Sequence, residues 1–492
     1  MTSFSIAGLF ADAVARHPAR EALVWREQRW TYQELGARAA AGARICGTLI
    51  SCERPYVAFV AGNSAAYVVA YFGALLAGAT TVEIGRGEEK ETIARLLDRV
   101  RPALVLTDRD DLEGIVVGAP TLSLDTFLEQ CGTDAGAPVA PPSTDAPASV
   151  VFTSGTTGLP KGVVLSHGNI LFVVEAVCRY LEMTEDDRYG LILPLAHTYG
   201  KSNLLSAIAA GASVVLIEES GSAPLLLGRL AKEGCTIASV VPFHLNMLAR
   251  SSNLAETVPS ALRAITTSGG ALPVWTTEAL AKGWPRVAIF SMYGLTESST
   301  RATFLPHDEL TAKPKSVGRV LPGMTIEIRD GEGHPVPAGA EGAIWLHGPN
   351  VMQGYWEDPD ATGGVLEKGW LNTGDVGYLD GTACLFITGR AKDIVKVAGE
   401  RISLAEIEAV VSTHPDVADA AAVGVPHPFL GEVVWVYVVP GAAFDPVELG
   451  AFCAERLSHH KVPRRFVRSE RIPRTATGKI QRHLLDRGAP RE

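Results

Sequence analysis

Between Val150 and Gly162 the chain reads VVFTSGTTGLPKG: a β-branched, apolar stretch, then Thr153, Ser154, Gly155, Thr156, Thr157 and Gly158, then Lys161. Each residue type suits a polyphosphate. Small residues let backbone amides approach, hydroxyls donate hydrogen bonds, and a lysine supplies charge. A generic Gly/Ser/Thr run is more often a surface turn, but the ordered spacing here points to a nucleotide. The Walker A arrangement GxxxxGK[ST] is absent. Gly200-Lys201-Ser202 comes near it, yet Leu195 stands where the first glycine is required. There is no GxSxG elbow, which disfavours a serine hydrolase. Lys plus Arg number 44 against 54 for Asp plus Glu, a net charge of -10. That balance offers no broad footprint for nucleic acid or anionic membrane, so a bound polyanion must be met locally.

The elements that position this loop follow from hydrophobic patterning. A chain of 492 residues exceeds one hydrophobic core, so at least two domains are expected. Strand-like runs at Tyr56–Val60, Ala103–Leu106, Ser213–Ile217 and Ile237–Val241 alternate with helical patterns, which predicts α/β layers with largely parallel sheets. The Pro, Ala and Gly bias of Gly132–Ser149 suggests by itself a boundary near residue 140. A second change comes near Gly389. There Ser403 and Glu406 predict a capping box, strands follow at Ala420–Val425 and Val433–Val439, and Asp445-Pro446 starts a helix. These make a small α+β domain. The stretch Ala65–Val82 carries no charge, but Gly73 and Gly78 interrupt it, so a buried helix running into a buried strand is expected instead of a membrane span. Leu9, Phe10, Ala13 and Val14 recur at helical spacing with no export signal, and the seven cysteines form no CxxC pair or zinc spacing. No structural metal and a reduced, cytoplasmic setting are the expectation.

With VVFTSGTTGLPKG, further segments occur in order: LPLAHTYG (Leu193–Gly200), TSGGAL (Thr267–Leu272), YGLTE (Tyr293–Glu297), LNTGDVGY (Leu371–Tyr378), GRAKDIVKVAG (Gly389–Gly399) and PRTATGK (Pro473–Lys479). On these the chain resembles, over nearly its whole length, the adenylate-forming superfamily of acyl-CoA synthetases, nonribosomal peptide adenylation domains and luciferases. The resemblance implies a large multi-layer N-terminal α/β domain, residues 1–390, that binds ATP and acid. It also implies a small mobile α+β C-terminal lid, residues 391–492, and overrides the boundary near 140. Lys392 would be the hinge. Gly269, Gly270 and Ala271 are implied at the adenine edge, Tyr293 and Gly294 in the nucleotide pocket, Thr296 on phosphate, and Glu297 on Mg²⁺. The competing reading of Glu297 is a helical pair with Arg301. Asp375 is implied on the ribose hydroxyls, where a turn aspartate is the plainer alternative, and Arg390 on ribose or phosphate, against a surface ion pair. Lys479 matches the catalytic lysine of adenylation, and Lys396 the loop that faces the site during thiol transfer.

The implied reaction is acid–thiol ligation: carboxylate and ATP give acyl-AMP and pyrophosphate, then acyl-thioester and AMP. His197 lies where the family often places a His or aromatic gate beside the reacting carboxylate. The absence of an Asp there argues against an ordinary α-amino acid. Lys201, four residues on, would share its face of a helix; it either pairs a second carboxylate on the acid or is solvated. Phe243, Ser268 and Arg301 are further candidates for the acyl pocket. The acceptor is CoA, or the phosphopantetheine of a separate carrier protein. The basic run Lys461, Arg464, Arg465, Arg468, Arg471 and Arg474 is a candidate surface for either, or a solvated face.

Overall fold

A computed structural model describes residues 4–51, 55–112, 115, 119–132, 143–153, 160–217, 223–251, 253–270, 272–390, 393–397, 400–441, 443–474 and 480–485. Ser154, Gly155, Thr156, Thr157, Ala271, Lys392 and Lys479 lie outside the described residues. The first layer is a 14-stranded sheet. Its parallel centre sets Glu21–Trp25, Ser213–Leu216, Arg188–Leu191, Ile237–Val240, Ala264–Thr267 and Ala288–Tyr293 side by side. These strands are short apolar runs buried on both faces, as parallel strands must be when helices cover them. The sheet then continues antiparallel through Thr303–Leu305, Ser316–Val320, Leu385–Arg390, Trp370–Leu379, Gly342–His347 and Thr325–Arg329.

A 7-stranded sheet forms the second layer: Gly354–Tyr355, Lys161–Ser166, Pro147–Thr153, Thr80–Glu83, Tyr56–Val60, Leu104–Thr107 and Thr121–Ser123. Strands from both sides of residue 140 pair within it, Thr81 facing Ser149 and Glu83 facing Val151, so no domain boundary falls at that point. The helix Ala65–Leu76 runs into Thr80–Glu83 and is buried almost throughout, as its charge-free sequence predicts. Its Gly73 is required by a close helix crossing, since a Cβ there would lie 3.0 Å from the backbone of Gly42. No helix among the described residues is long and apolar enough to cross a membrane.

A third, 5-stranded sheet is built from Ile394–Val397, Glu400–Ser403, Val417–His427, Gly431–Pro440 and Arg465–Arg468, all from the chain beyond Arg390. It has its own core around Ile402, Ile407, Val411, Val436 and Leu449. Asp445 caps the helix Pro446–Arg456 through the amide of Val447, as expected. The capping box at Ser403 does not form. The helix Leu404–Val411 begins there, but the Ser403 side chain makes no cap bond and Glu406 turns away to Lys461, 2.7 Å distant.

Candidate active site

The hairpin that joins Pro147–Thr153 to Lys161–Ser166 carries the phosphate-type loop, and its two ends pair across the ladder, Thr153 facing Lys161. Lys161 is exposed. Its Nζ lies 4.8 Å from the ring centre of Tyr355, a residue that the next strand, Gly354–Tyr355, lays against Val163 and Val164. The Tyr355 hydroxyl donates to Glu297 Oε1 at 2.9 Å. Lysine and carboxylate, far apart in sequence, are thus bridged by one tyrosine. Burial, and then the Glu297 charge, push the Tyr355 phenol up, so it stays a donor. Glu297 does not pair with Arg301: the turn Thr296–Ser298 is too short for that helical spacing, and its Oε2 has no partner among the described residues.

The YGLTE turn is pinned from behind. Asn350 Nδ2 donates to the carbonyls of Ser298 and Arg301 at 2.9 and 2.6 Å, and a Cβ on Gly294 would sit 2.2 Å from the Thr300 carbonyl oxygen. Only glycine fits. Thr296 and Glu297 remain half-buried at the surface of this turn. Tyr293, ending its strand, donates to Asp375 Oδ2 at 2.7 Å, while Arg390 Nε meets Asp375 Oδ1 at 2.9 Å. Asp375 and Arg390 face each other in the antiparallel register. Burial, then the Asp375 charge, hold the Tyr293 phenol well above its usual range. Across the sheet, the strand Ala264–Thr267 ends in buried Ser268 and exposed Gly269 and Gly270, with Gly269 at φ +94. An exposed glycine backbone of this kind admits a flat ring edge closely.

On the acid side, the helix Thr198–Ala210 starts after His197, whose own side chain is half-buried and makes no cap bond. Asn63 fixes the entry, accepting from Leu195 N at 2.8 Å and donating to the Leu193 carbonyl at 3.0 Å. Lys201 is not solvated, and its ammonium already has a partner within the protein. It is buried at 3% exposure and forms an ion pair with Glu83, with Ser149 Oγ at 3.4 Å and the Tyr71 ring centre at 5.0 Å. Burial lowers the Lys201 pKa and Glu83 opposes that shift. The helix Thr198–Ala210 packs on the strands Arg188–Leu191 and Ser213–Leu216 of the first sheet, and its Lys201 meets Glu83 from the second. Arg301 is also buried, over the ring of Tyr199. Phe243, by contrast, is 41% exposed on the helix Pro242–Ala249. Sequence motifs gave no signal for Glu83, Asn63, Asn350 or Tyr355, because each acts on a partner remote in the chain.

In the third sheet Lys396 is exposed, with its amide held by Glu432 Oε2 at 2.8 Å. The same part of the chain carries a charge network. Arg482 grips Glu408 at 2.8 and 2.9 Å and Asp393 at 3.2 Å, and Arg474 meets Asp419 at 2.6 Å. Burial pushes the Glu408 carboxyl up to about 7, with Arg482 pulling it the other way. The basic run is partly used up internally: Lys461 on Glu406, Arg474 on Asp419, Arg465 over Trp435 and Arg468 over Phe444.

Residues 10–356 match the AMP-binding enzyme family and residues 406–479 the AMP-binding enzyme C-terminal domain. The chain belongs to the AMP-binding enzyme family. It is 33% identical to the 2-succinylbenzoate–CoA ligase of Bacillus velezensis, over 95% of both chains. It is 31% identical to the indoleacetate–CoA ligase of Aromatoleum aromaticum, over 94% of both. The o-succinylbenzoate CoA synthetase of Bacillus subtilis, solved with its acyl-adenylate intermediate, superposes with a TM-score of 0.88 at 29% identity, covering 97% of each chain. The same enzyme with ATP and magnesium ion gives 0.87 at 29%, covering 97% of this chain and 98% of that one. The acceptor in these relatives' names is CoA, and the carrier-protein alternative finds no support among them.

Proposed function

We propose the following roles for the side chains of this AMP-forming acid–CoA ligase. ATP and a carboxylic acid give acyl-AMP and pyrophosphate; CoA then takes the acyl group and AMP leaves. The observation that carries the reading is the convergence of two clusters from distant motifs, Lys161–Tyr355–Glu297 and Tyr293–Asp375–Arg390. The first has a cation and a carboxylate for a triphosphate. The second presents an ionised acceptor suited to a pair of ribose hydroxyls, with Arg390 steadying it. Glu297, with Oε2 free among the described residues, fits Mg²⁺, which prefers one or two carboxylates plus phosphate oxygens and supplies charge neutralisation when bound. Gly269, Gly270 and Ala271 take the adenine edge, and Ser154 to Thr157 the phosphates.

The chemical difficulty is that the carboxylate and the α-phosphate are both anionic. A unit charge about 4 Å away is worth about 4 kcal/mol at an effective dielectric of about 20. Lys479 supplies that charge in the first half-reaction, acting as an oxyanion donor does. His197 borders the reacting carboxylate, and Phe243 and Ser268 border the acyl chain. Lys396 serves the second half-reaction, after the lid of residues 391–492 has turned about Lys392. Two ion pairs support a pivot there. Arg390 is tied to Asp375 of the large domain and Asp393 to Arg482 of the lid, which leaves residues 391 and 392 between the two clamps. The dependence on ATP and CoA supports a cytoplasmic setting.

The acid is a small carboxylic acid, of the succinylbenzoate kind named for the relatives. Incubation with ATP, magnesium, CoA and a panel of aromatic and aliphatic acids, read by mass spectrometry, should give acyl-CoA and AMP in equal amounts. ADP in place of AMP would rule the reading out.

A further inference from the structure

Arg301 has 0% exposure, yet its guanidinium meets no carboxylate among the described residues. Its Nε donates to the Tyr180 hydroxyl at 3.4 Å, one terminal nitrogen to the Thr300 carbonyl and hydroxyl at 3.4 Å each, and the other to Asn203 Oδ1 at 3.1 Å. These acceptors are neutral, and all but Asn203 are distant. The other buried cation of this region, Lys201, has Glu83 beside it. A buried charge without a counter-charge is costly, and proteins rarely keep one. Asn203 adds a second, independent demand: it is fully buried, its oxygen is given to Arg301, and its Nδ2 has no acceptor. A cation and an amide donor therefore stand side by side, both lacking the same thing.

Their position says where that acceptor comes from. Tyr199 and Asn203 lie one turn apart on the helix that begins at His197, and the half-buried Tyr199 ring covers the guanidinium at 4.2 Å from its centre. The Tyr199 hydroxyl reaches Thr266, two residues before Ser268, at 3.1 Å. Arg301 itself follows the YGLTE turn, its backbone amide against Gly294. The unmet donors thus lie behind one aromatic ring, and that ring touches the strand leading to Ser268, where the acid is proposed to bind.

We propose that Arg301 and Asn203 form a subsite for a second anionic group on the substrate, remote from the carboxylate that is adenylated. The acid is then a dianion, and Arg301 is the residue that selects it, with the Tyr199 ring turning aside to admit the group. This rests on the acid–CoA ligase reading above. The relatives do not decide it, since one is named for a diacid and another for a monoacid. The sequence alone offered Lys201 for a second carboxylate, and the structure has spent that cation on Glu83.

The test is pyrophosphate–ATP exchange with matched acids that differ only in the second carboxyl: 2-succinylbenzoate against 4-oxo-4-phenylbutanoate, and adipate against hexanoate. For the wild type, kcat/KM should favour the diacid of at least one pair tenfold or more. Arg301→Met should cut that diacid-to-monoacid ratio at least tenfold, through KM, and Arg301→Lys should restore part of it. Asn203→Asp is the variant that separates recognition from folding: it places a carboxylate on Arg301, so it should raise the melting temperature while abolishing the diacid preference. Equal use of mono- and diacids by the wild type, or equal losses for both in Arg301→Met, overturns the proposal. A lower melting temperature in Asn203→Asp with the diacid preference intact does so as well. Exchange with no acid at all would instead strike the ligase reading itself.

Discussion

Glu83 shows how far a single residue can redirect a neighbour. Lys201 stands where its helix could aim it at the substrate, and a carboxylate from a strand in the other sheet claims it. Nothing local in the sequence marks that pairing, because burial and partner arise only when the two sheets meet. Removing one member leaves the other charged and buried, so Lys201→Met should lower stability by about 3–5 kcal/mol, with Glu83→Gln in the same chain recovering much of it. Denaturant titration of the single and double variants checks this. Tyr355 acts similarly on Glu297. Outer partners of metal-binding carboxylates are worth about 10-fold or more in metal affinity, so, with Glu297 in its proposed role on magnesium, Tyr355→Phe should raise the magnesium concentration needed for half-maximal exchange by about that factor. A magnesium titration at saturating ATP reads it directly.

At the scale of elements, the sequence was most legible where chemistry is written in adjacent residues. The strand leading into TSGTTG, the buried helix Ala65–Leu76 and the Asp445 cap are all local patterns, and each lies where spacing predicts. The Ser403–Glu406 box was equally local in appearance and failed, because Lys461 offers Glu406 a full charge where the Ser403 amide offers a dipole. Tertiary partners outrank local ones whenever they carry more charge. The N-terminal helix Ile6–Arg16 gives a pH-dependent case. His167 Nδ1 accepts from the Ile6 amide at 3.2 Å, and burial holds the imidazole down to about 4 from its ordinary value. The unfolded chain binds this proton near pH 6.5 and the folded one near 4. Stability from this group is therefore present above pH 6.5 and lost as the pH falls toward 4, at about 1.4 kcal/mol per pH unit. Thermal melts from pH 7 to pH 4 should fall more steeply for the wild type than for His167→Gln, and parallel slopes would refute the assignment.

For the whole molecule the decisive contacts lie between the large domain and the lid. Arg250, at the end of the helix Pro242–Ala249, stacks over Trp275 and donates to the carbonyls of Ser412 and Val417 at 3.1–3.2 Å. Ser412 caps the lid helix Leu404–Val411, so one of these carbonyls lies at a helix's negative end, and the other, of Val417, begins the strand that follows. Hydrogen bonds to a charged donor are worth about 1.5–3 kcal/mol. Arg250→Met should therefore shift the lid away from this orientation, seen as a changed distance distribution between fluorophores on the two domains; an identical distribution would remove Arg250 from the account. The motif order made the two-domain plan readable from sequence, but this contact joins residues with no shared motif and only the folded chain shows it. The most direct measurement is carboxylate-dependent exchange of pyrophosphate into ATP by the wild type and by Lys479→Ala, with ATP affinity followed in parallel. Exchange in the wild type, a loss of about 10²–10³-fold in the variant and nearly unchanged ATP binding are expected. A variant that exchanges as fast as the wild type would contradict the claim that a lid cation lets the two anions meet.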